Sequence, residues 1–137
     1  MVTWKNLDTL ASYDKLAGMK NRVNIAEAMS GENGAKRVAK YTTPMAAGMN
    51  FNYAAKQVDD TILDALAELA DEAQLVDKFE ELYNGAIINT GEQRLVLHHL
   101  ARRQLGNKVV VDGVDKREFY VSQQKKAADF ANKVHAG

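Results

Sequence analysis

The residues most able to do chemistry lie in one stretch, YNGAIINTGEQRLVLHHLARRQLGNK, over residues 83–108. It holds two adjacent histidines and several arginines, and its apolar spacing predicts a helix from about 91 to 105. On that helix Arg94 falls inside the apolar arc and His98 lies at its edge, while His99, Arg102 and Arg103 point to solvent. The arc itself consists of Val96, Leu97, Leu100, Ala101 and Leu105.

A guanidinium inside an apolar arc needs an anionic partner, because desolvating it alone costs several kcal/mol. We expect Arg94 to form a structural ion pair, with substrate binding as the alternative. Its partner is either an acid of this chain, such as Glu68 or Glu81, or a group supplied from outside. His98 is one helical turn from Arg94 and is interpreted as a histidine at the core edge, with a catalytic base as the alternative. His98 and His99 cannot share a metal ion, since adjacent helical positions diverge by about 100°.

Polar residues at the start of the predicted helix have a structural explanation. Asn89 or Thr90 can act as its N-cap, and Glu92 or Gln93, three residues on, can complete a capping box. Together Asn89, Glu92, Arg94 and His98 are therefore interpreted as a structural motif, and no catalytic, substrate-binding or metal-binding residue is predicted.

Composition excludes several classes of protein. Eighteen basic and eighteen acidic residues cancel, which argues against nucleic acid or an anionic membrane as partner. Cysteine is absent, so no disulfide or thiolate site is possible, and a cytoplasmic location is expected. The SGENGAK segment (30–36) lacks the spacing of a phosphate loop, so no cofactor is predicted.

Helical periodicity dominates and predicts a mainly α segment over residues 1–137, with at most one short strand or hairpin. One helix near the start ends at Gly18, a second covers 59–74 from a cap at Asp60 or Thr61, and a third ends at Gly85. The motif helix and a closing helix after residue 115 complete the set. An ordered connection is expected over 41–57, and an Asp-Gly turn marks the hairpin at 108–115.

The stretch NGAIINTGEQRLVLHHLARR resembles the N-terminal signature of the glucose-6-phosphate isomerase (phosphoglucose isomerase) family. VVVDGVD and NFNYAAKQVDDTILDALAELA are also similar to segments of that family, although Gly91 stands in place of a threonine and Leu100-Ala101 invert the usual order. The positions that match in register are Gly85, Ile88, Asn89, Glu92, Arg94, Val96, Leu97, His98 and Arg102.

The resemblance implies a longer α/β parent enzyme that interconverts glucose 6-phosphate and fructose 6-phosphate through a cis-enediol, without a cofactor. Its catalytic and phosphate-binding groups belong to sugar-isomerase domains that are absent here, so this chain alone is expected to be structural and inactive. The implied partners are the remainder of the isomerase chain and, for the parent, a second copy in a homodimer, with sugar phosphate bound only by the parent. The alternative is an independent helical interaction module.

Overall fold

The computed structural model describes residues 2–137 except 21, 90 and 103–105. The chain divides into two compact units, Thr3–Ala73 and, for the most part, Gln74–Gly137, and each is treated by itself. Helices dominate both units, which confirms the predicted mainly α class.

The described residues of the unit Thr3–Ala73 form four α-helices and one pair of strands. After a 3₁₀ turn at Leu7–Thr9 come α1 (Ala11–Gly18), α2 (Ile25–Ala28), α3 (Gly31–Lys40), β1 (Thr42–Pro44), β2 (Asn50–Asn52) and α4 (Asp60–Glu72). A second 3₁₀ turn, Ala46–Gly48, joins the two strands. Helix α1 ends at Gly18 as predicted.

The predicted 59–74 helix is α4 (Asp60–Glu72). It packs against α1, and Ile62 and Ala65 on its apolar face are buried. Its cap differs from the prediction. Asp59, and not Asp60 or Thr61, accepts a hydrogen bond from the Ile62 N–H at 3.0 Å. Asp59 has extended backbone, as an N-cap requires, whereas Asp60 already belongs to the helix.

The predicted connection over 41–57 is ordered, but it contains an antiparallel strand pair that the sequence did not predict. Thr42 pairs with Asn52 and Pro44 with Asn50. Asn52 fixes the base of the pair by donating to the Val38 carbonyl at 2.9 Å and to the Thr42 hydroxyl at 2.6 Å. These side-chain hydrogen bonds hold a strand pair that is only three residues long.

Arg37 of α3 organises the segment that follows β2. Its guanidinium donates to the carbonyls of Ala54 at 2.7 Å, Lys56 at 3.0 Å and Val58 at 2.6 Å. The same group lies 4.6 Å from the ring centre of Tyr41, a stacking contact suited to a planar cation. One side chain thus satisfies three backbone acceptors that have no regular secondary structure to pair with.

In the part of Gln74–Gly137 that the structure describes there are two α-helices and two strand pairs. Its elements are α5 (Leu75–Tyr83), β3 (Ile87–Asn89), β4 (Arg94–Leu95), a 3₁₀ helix at His98–Ala101, β5 (Val110–Val111), β6 (Val114–Asp115) and α6 (Lys116–His135). Leu97, Leu100 and Val109 form its core, and Leu95, Val111 and Tyr120 pack against them.

Turn chemistry in this unit follows the sequence. Strands β5 and β6 form the predicted hairpin, joined by Asp112 at φ 52° and Gly113 at φ 75°, both left-handed as a tight Asp-Gly turn requires. Gly85 has φ 79° two residues beyond α5, which confirms the predicted helix stop.

The predicted helix over 91–105 is wrong for the residues described. Arg94 and Leu95 are extended in β4, and His98–Ala101 form only a single 3₁₀ turn. Gln93 lies at φ 53°, a left-handed conformation that a continuous helix cannot contain. Local side-chain bonds from Asn89 compete with helix formation at this point. Of the residues named for this helix, Thr90, Arg103 and Leu105 lie outside the described part of the chain.

Candidate functional site

Asn89 and Glu92 form a reciprocal hydrogen-bonded turn between β3 and β4. The Asn89 side-chain oxygen accepts from the Glu92 N–H at 3.1 Å, and the Asn89 amide donates to the Glu92 carboxylate at 3.1 Å. The predicted bonding of residue i to residue i+3 is therefore present, but it closes a strand pair rather than starting a helix. The β3–β4 pairing shifts register between Ile87 and Asn89, as a bulge does beside a turn.

Arg94 is exposed, which overturns its predicted place in an apolar arc. Its side chain is 75% exposed, and its ion pair is with Glu92 at 3.8 Å, not with Glu68 or Glu81. The arc does not form because residues 94 and 95 are in a strand, where successive side chains point to opposite faces. The Arg94 guanidinium and the Glu92 carboxylate are therefore both exposed to solvent.

The two histidines exchange the environments predicted for them. His98 is exposed, and it is His99 that turns inward. The His99 ring lies edge-on to Tyr83, with 4.6 Å between the ring centres. Both ring nitrogens of His99 are buried, and neither has a hydrogen-bond partner among the described residues. A 3₁₀ turn rotates successive side chains by about 120°, so the face assigned to each residue of an α-helix does not hold here.

The structure brings together three of the four predicted motif residues. Asn89, Glu92 and Arg94 lie in one exposed turn, whereas His98 lies on the 3₁₀ turn that follows β4. Their role as a motif stays a prediction.

A surface cleft lies beside Tyr83, the residue whose ring contacts His99. The Phe79 and Tyr83 rings meet edge to face at 5.0 Å, and Asn84 accepts from the Asn107 N–H at 2.8 Å. Gly106 is required at this point, since a Cβ there would lie 2.7 Å from the Tyr83 carbonyl oxygen. The cleft is lined by Phe79, Glu80, Tyr83, Asn84, Gly106 and Asn107. Sequence reasoning missed it because it depends on a contact between segments 23 residues apart.

Asp115 joins the β5–β6 hairpin to α6. Its carboxylate accepts from the Arg117 N–H at 2.9 Å and the Glu118 N–H at 3.4 Å, and it pairs with Lys108 at 3.2 Å. Partial burial acts to raise the pKa of Asp115, but the hydrogen bonds from Lys108 and the two backbone groups outweigh it and lower the pKa. The perturbation has a structural cause, which is the capping of α6.

The remaining shifted groups also have structural causes. The hydrogen bond between Lys40 and Asp60, at 2.5 Å, raises the pKa of the lysine and lowers that of the aspartate. Hydrogen bonds from Ser12 lower the pKa of Glu72. Within the described part of the chain, no group of three or more histidine, aspartate or glutamate side chains is placed to hold a metal ion. Over the same residues no helix is both long and apolar enough to cross a membrane.

Comparison with known proteins gives one consistent result. The family model described as phosphoglucose isomerase matches residues 52–137. The glucose-6-phosphate isomerase of Treponema denticola is 46% identical over 138 residues, which is 98% of this chain and 26% of that enzyme. The enzymes of the same name from Treponema pallidum and Borreliella burgdorferi are 39% and 37% identical, over 99% and 100% of this chain.

The chain spans about a quarter of the length of these curated relatives. The family match includes Asn89, Glu92 and Arg94, the β5–β6 hairpin and α6, so it covers nearly all the residues on which the sequence resemblance rested. The chain therefore belongs to the phosphoglucose isomerase family.

Proposed function

We propose that this chain acts as the N-terminal segment of a glucose-6-phosphate isomerase, where it supplies structure and the rest of the enzyme supplies the catalytic groups. The observation that carries the proposal is the 46% identity to the Treponema denticola enzyme over 98% of this chain. The relatives reported above are all isomerases by name, which favours this function over an independent interaction module.

The whole enzyme is proposed to interconvert glucose 6-phosphate and fructose 6-phosphate by moving one proton between C1 and C2. General acid–base chemistry of this kind requires a positioned carboxylate with access to the substrate and a grip on the phosphate. The carboxylates with lowered pKa described above, Asp60, Glu72 and Asp115, are already engaged in ion pairs or helix caps. This supports a structural role for the chain.

The test is a chimaera in which this chain replaces the matched segment of the Treponema denticola enzyme. A dehydrogenase-coupled assay would follow conversion of fructose 6-phosphate, with the intact enzyme as positive control. We expect a kcat/KM within about tenfold of the intact enzyme, because groups that contact the transition state would be unchanged. The 137-residue chain alone is expected to be inactive.

Two results would overturn the proposal. One is a folded chimaera without activity, and the other is turnover by the purified 137-residue chain above a mock preparation. The proposal also includes a homodimeric whole enzyme in the cytoplasm. Sedimentation of the chimaera and cell fractionation check these two points.

A further inference from the structure

Among the described residues, the contacts that hold helix α6 on its own unit lie in its first half. Arg117 and Gln124 donate side-chain hydrogen bonds to the carbonyls of Leu100 and Ala101. Tyr120 packs on the core of the unit. From residue 121 to 137 every residue is exposed. The second half of α6 therefore projects beyond the contacts that anchor the first.

An apolar stripe begins at Phe119 and continues along that projecting half. At about 100° per residue, Phe119, Ala127, Phe130 and Val134 fall within an arc of about 80°, in which Gln123 is a polar member. Phe119 is 48% exposed, Phe130 is 70% exposed and Val134 is 63% exposed. Helices in proteins draw most of their stability from packing an apolar face against other parts of the structure. We therefore expect another surface to cover this stripe.

The stripe belongs to a wider pattern. Among the described residues, exposed large hydrophobic side chains outnumber the buried hydrophobic ones by about two to one. Monomeric proteins rarely leave large contiguous apolar patches open to water, and on α6 the exposed side chains of Phe130 and Val134 are one helical turn apart. On α6 the stripe is flanked on one side by Lys126 and Lys133. An occupant therefore needs an apolar centre and an acidic rim beside the two lysines.

We propose that the α6 stripe is the seam through which this chain packs against the part of the isomerase that lies outside these 137 residues, on a groove with an acidic rim. The inference rests on the proposed function. The relatives are about four times the length of this chain, and α6 lies inside the family match. Most of the whole enzyme is thus available to cover the stripe.

The experiment uses the chimaera described above with substitutions on opposite faces of α6. Phe130→Ser removes the centre of the stripe. Val121→Ser is the matched control, because Val121 is also apolar and 46% exposed but lies about 180° from Phe130 on the helix. Phe130→Leu keeps the apolar character and should restore the behaviour of the parent chimaera.

We expect Phe130→Ser to shorten the half-life of activity at raised temperature by about tenfold or more, with kcat of the surviving enzyme unchanged. Val121→Ser should leave the half-life within about twofold. Hydrogen exchange gives an independent measurement, in which amides of residues 126–135 should exchange at least about tenfold more slowly in the chimaera than in the isolated chain.

The outcomes separate the two proposals. An active chimaera in which the two serine variants behave alike, or in which α6 gains no protection, overturns the seam and leaves the proposed function standing. A folded but inactive chimaera overturns both. Concentration-dependent dimers of the isolated chain that Phe130→Ser disperses, with a chimaera insensitive to that change, would assign the stripe to a second copy of this chain instead.

Discussion

The Glu72 carboxylate, at the end of α4, accepts a hydrogen bond from the Ser12 N–H at 2.8 Å at the start of α1. The Ser12 hydroxyl donates to the same oxygen, and the Ala11 N–H donates to the other at 3.3 Å. Leu10, at the N-cap position of α1, has no side chain that can cap. A residue 60 positions away therefore replaces the local cap, and its negative charge suits the N-terminal end of the helix dipole.

Replacing Glu72 by glutamine should lower the thermal midpoint of the chain and reduce its dependence on pH. The pKa of Glu72 is lowered from its ordinary value of 4.5, so its contribution is present above that value. It is lost as the pH falls through the lower folded-state pKa. Circular dichroism melts between pH 7 and pH 3 would measure this. Asp71→Asn, at an exposed position on the same helix, is the control, and equal pH profiles for both variants would contradict the cap.

Replacing Arg37 by lysine should destabilise the unit Thr3–Ala73 by about 2–3 kcal/mol. A single ammonium cannot reach three carbonyls in the plane that the guanidinium serves, and the carbonyls left unsatisfied carry the cost. Urea unfolding gives the free energy of unfolding. Lys36→Gln, at the preceding exposed position, should change it by less than about 0.5 kcal/mol. A similar change in both variants would contradict a specific role for the three hydrogen bonds of the Arg37 guanidinium.

Replacing Leu100 by alanine should lower the free energy of unfolding by about 2–4 kcal/mol, because Leu100 is fully buried and its loss leaves a cavity. Leu75→Ala removes the same atoms from a side chain that is 57% exposed and should cost less than about 1 kcal/mol. Denaturant titrations of the two variants would be compared. Equal losses would show that the Leu97, Leu100 and Val109 cluster is not the core of its unit.

Replacing Gly85 by alanine should cost about 1–3 kcal/mol for two separable reasons. The backbone has φ 79°, and the new Cβ would lie 2.5 Å from a Val109 methyl group. A double-mutant cycle with Val109→Ala removes the clash but not the backbone strain, so the alanine at 85 should cost about 1 kcal/mol less in that background. Strict additivity would show that the contact with Val109 is not made.

The isolated chain and the whole enzyme should respond differently to Arg94→Met. In the isolated chain the exposed pair with Glu92 predicts a change below about 0.5 kcal/mol. In the chimaera we predict a loss of about 1–3 kcal/mol with turnover per folded molecule within about tenfold, as for an anchor to the rest of the enzyme. Thermal unfolding and steady-state kinetics on the same preparation test both. A stable chimaera with kcat reduced about a thousandfold would place Arg94 in the active site.

Elements whose signals are local were predictable from sequence. The α4 face around Ile62 and the Asp112-Gly113 turn each follow from periodicity or turn chemistry within a few residues. The β1–β2 and β3–β4 pairs were missed, because they are two or three residues long and depend on side-chain bonds such as that from Asn89 to the Glu92 N–H. The hydrogen bond between Asn89 and Glu92 was predicted. Because the same bond can start a helix or close a turn between strands, it did not distinguish the two structures.

The prediction that Arg94 lies in the apolar arc of a helix was wrong for a related reason. Apolar residues at helical spacing around Leu97 and Leu100 are compatible with a helix, yet a left-handed residue at Gln93 places Arg94 in a strand. Periodicity describes which faces would exist if the helix formed, and it carries no information on whether one residue breaks it.

Asp115 fixes the first turn of α6, so a small rotation of the helix near its start moves its far end by a larger distance. Asp115 pairs with Val110 in the hairpin, binds Lys108 and caps the helix, so the direction of the helix axis is set at its first turn. A helix of 20 residues is about 30 Å long. The bonds from Arg117 and Gln124 also hold the first half, so the free arm runs from about Gln124 to Val134 and is about 15 Å long. A rotation of about 10° at the anchored half would therefore displace Val134 by roughly 3 Å.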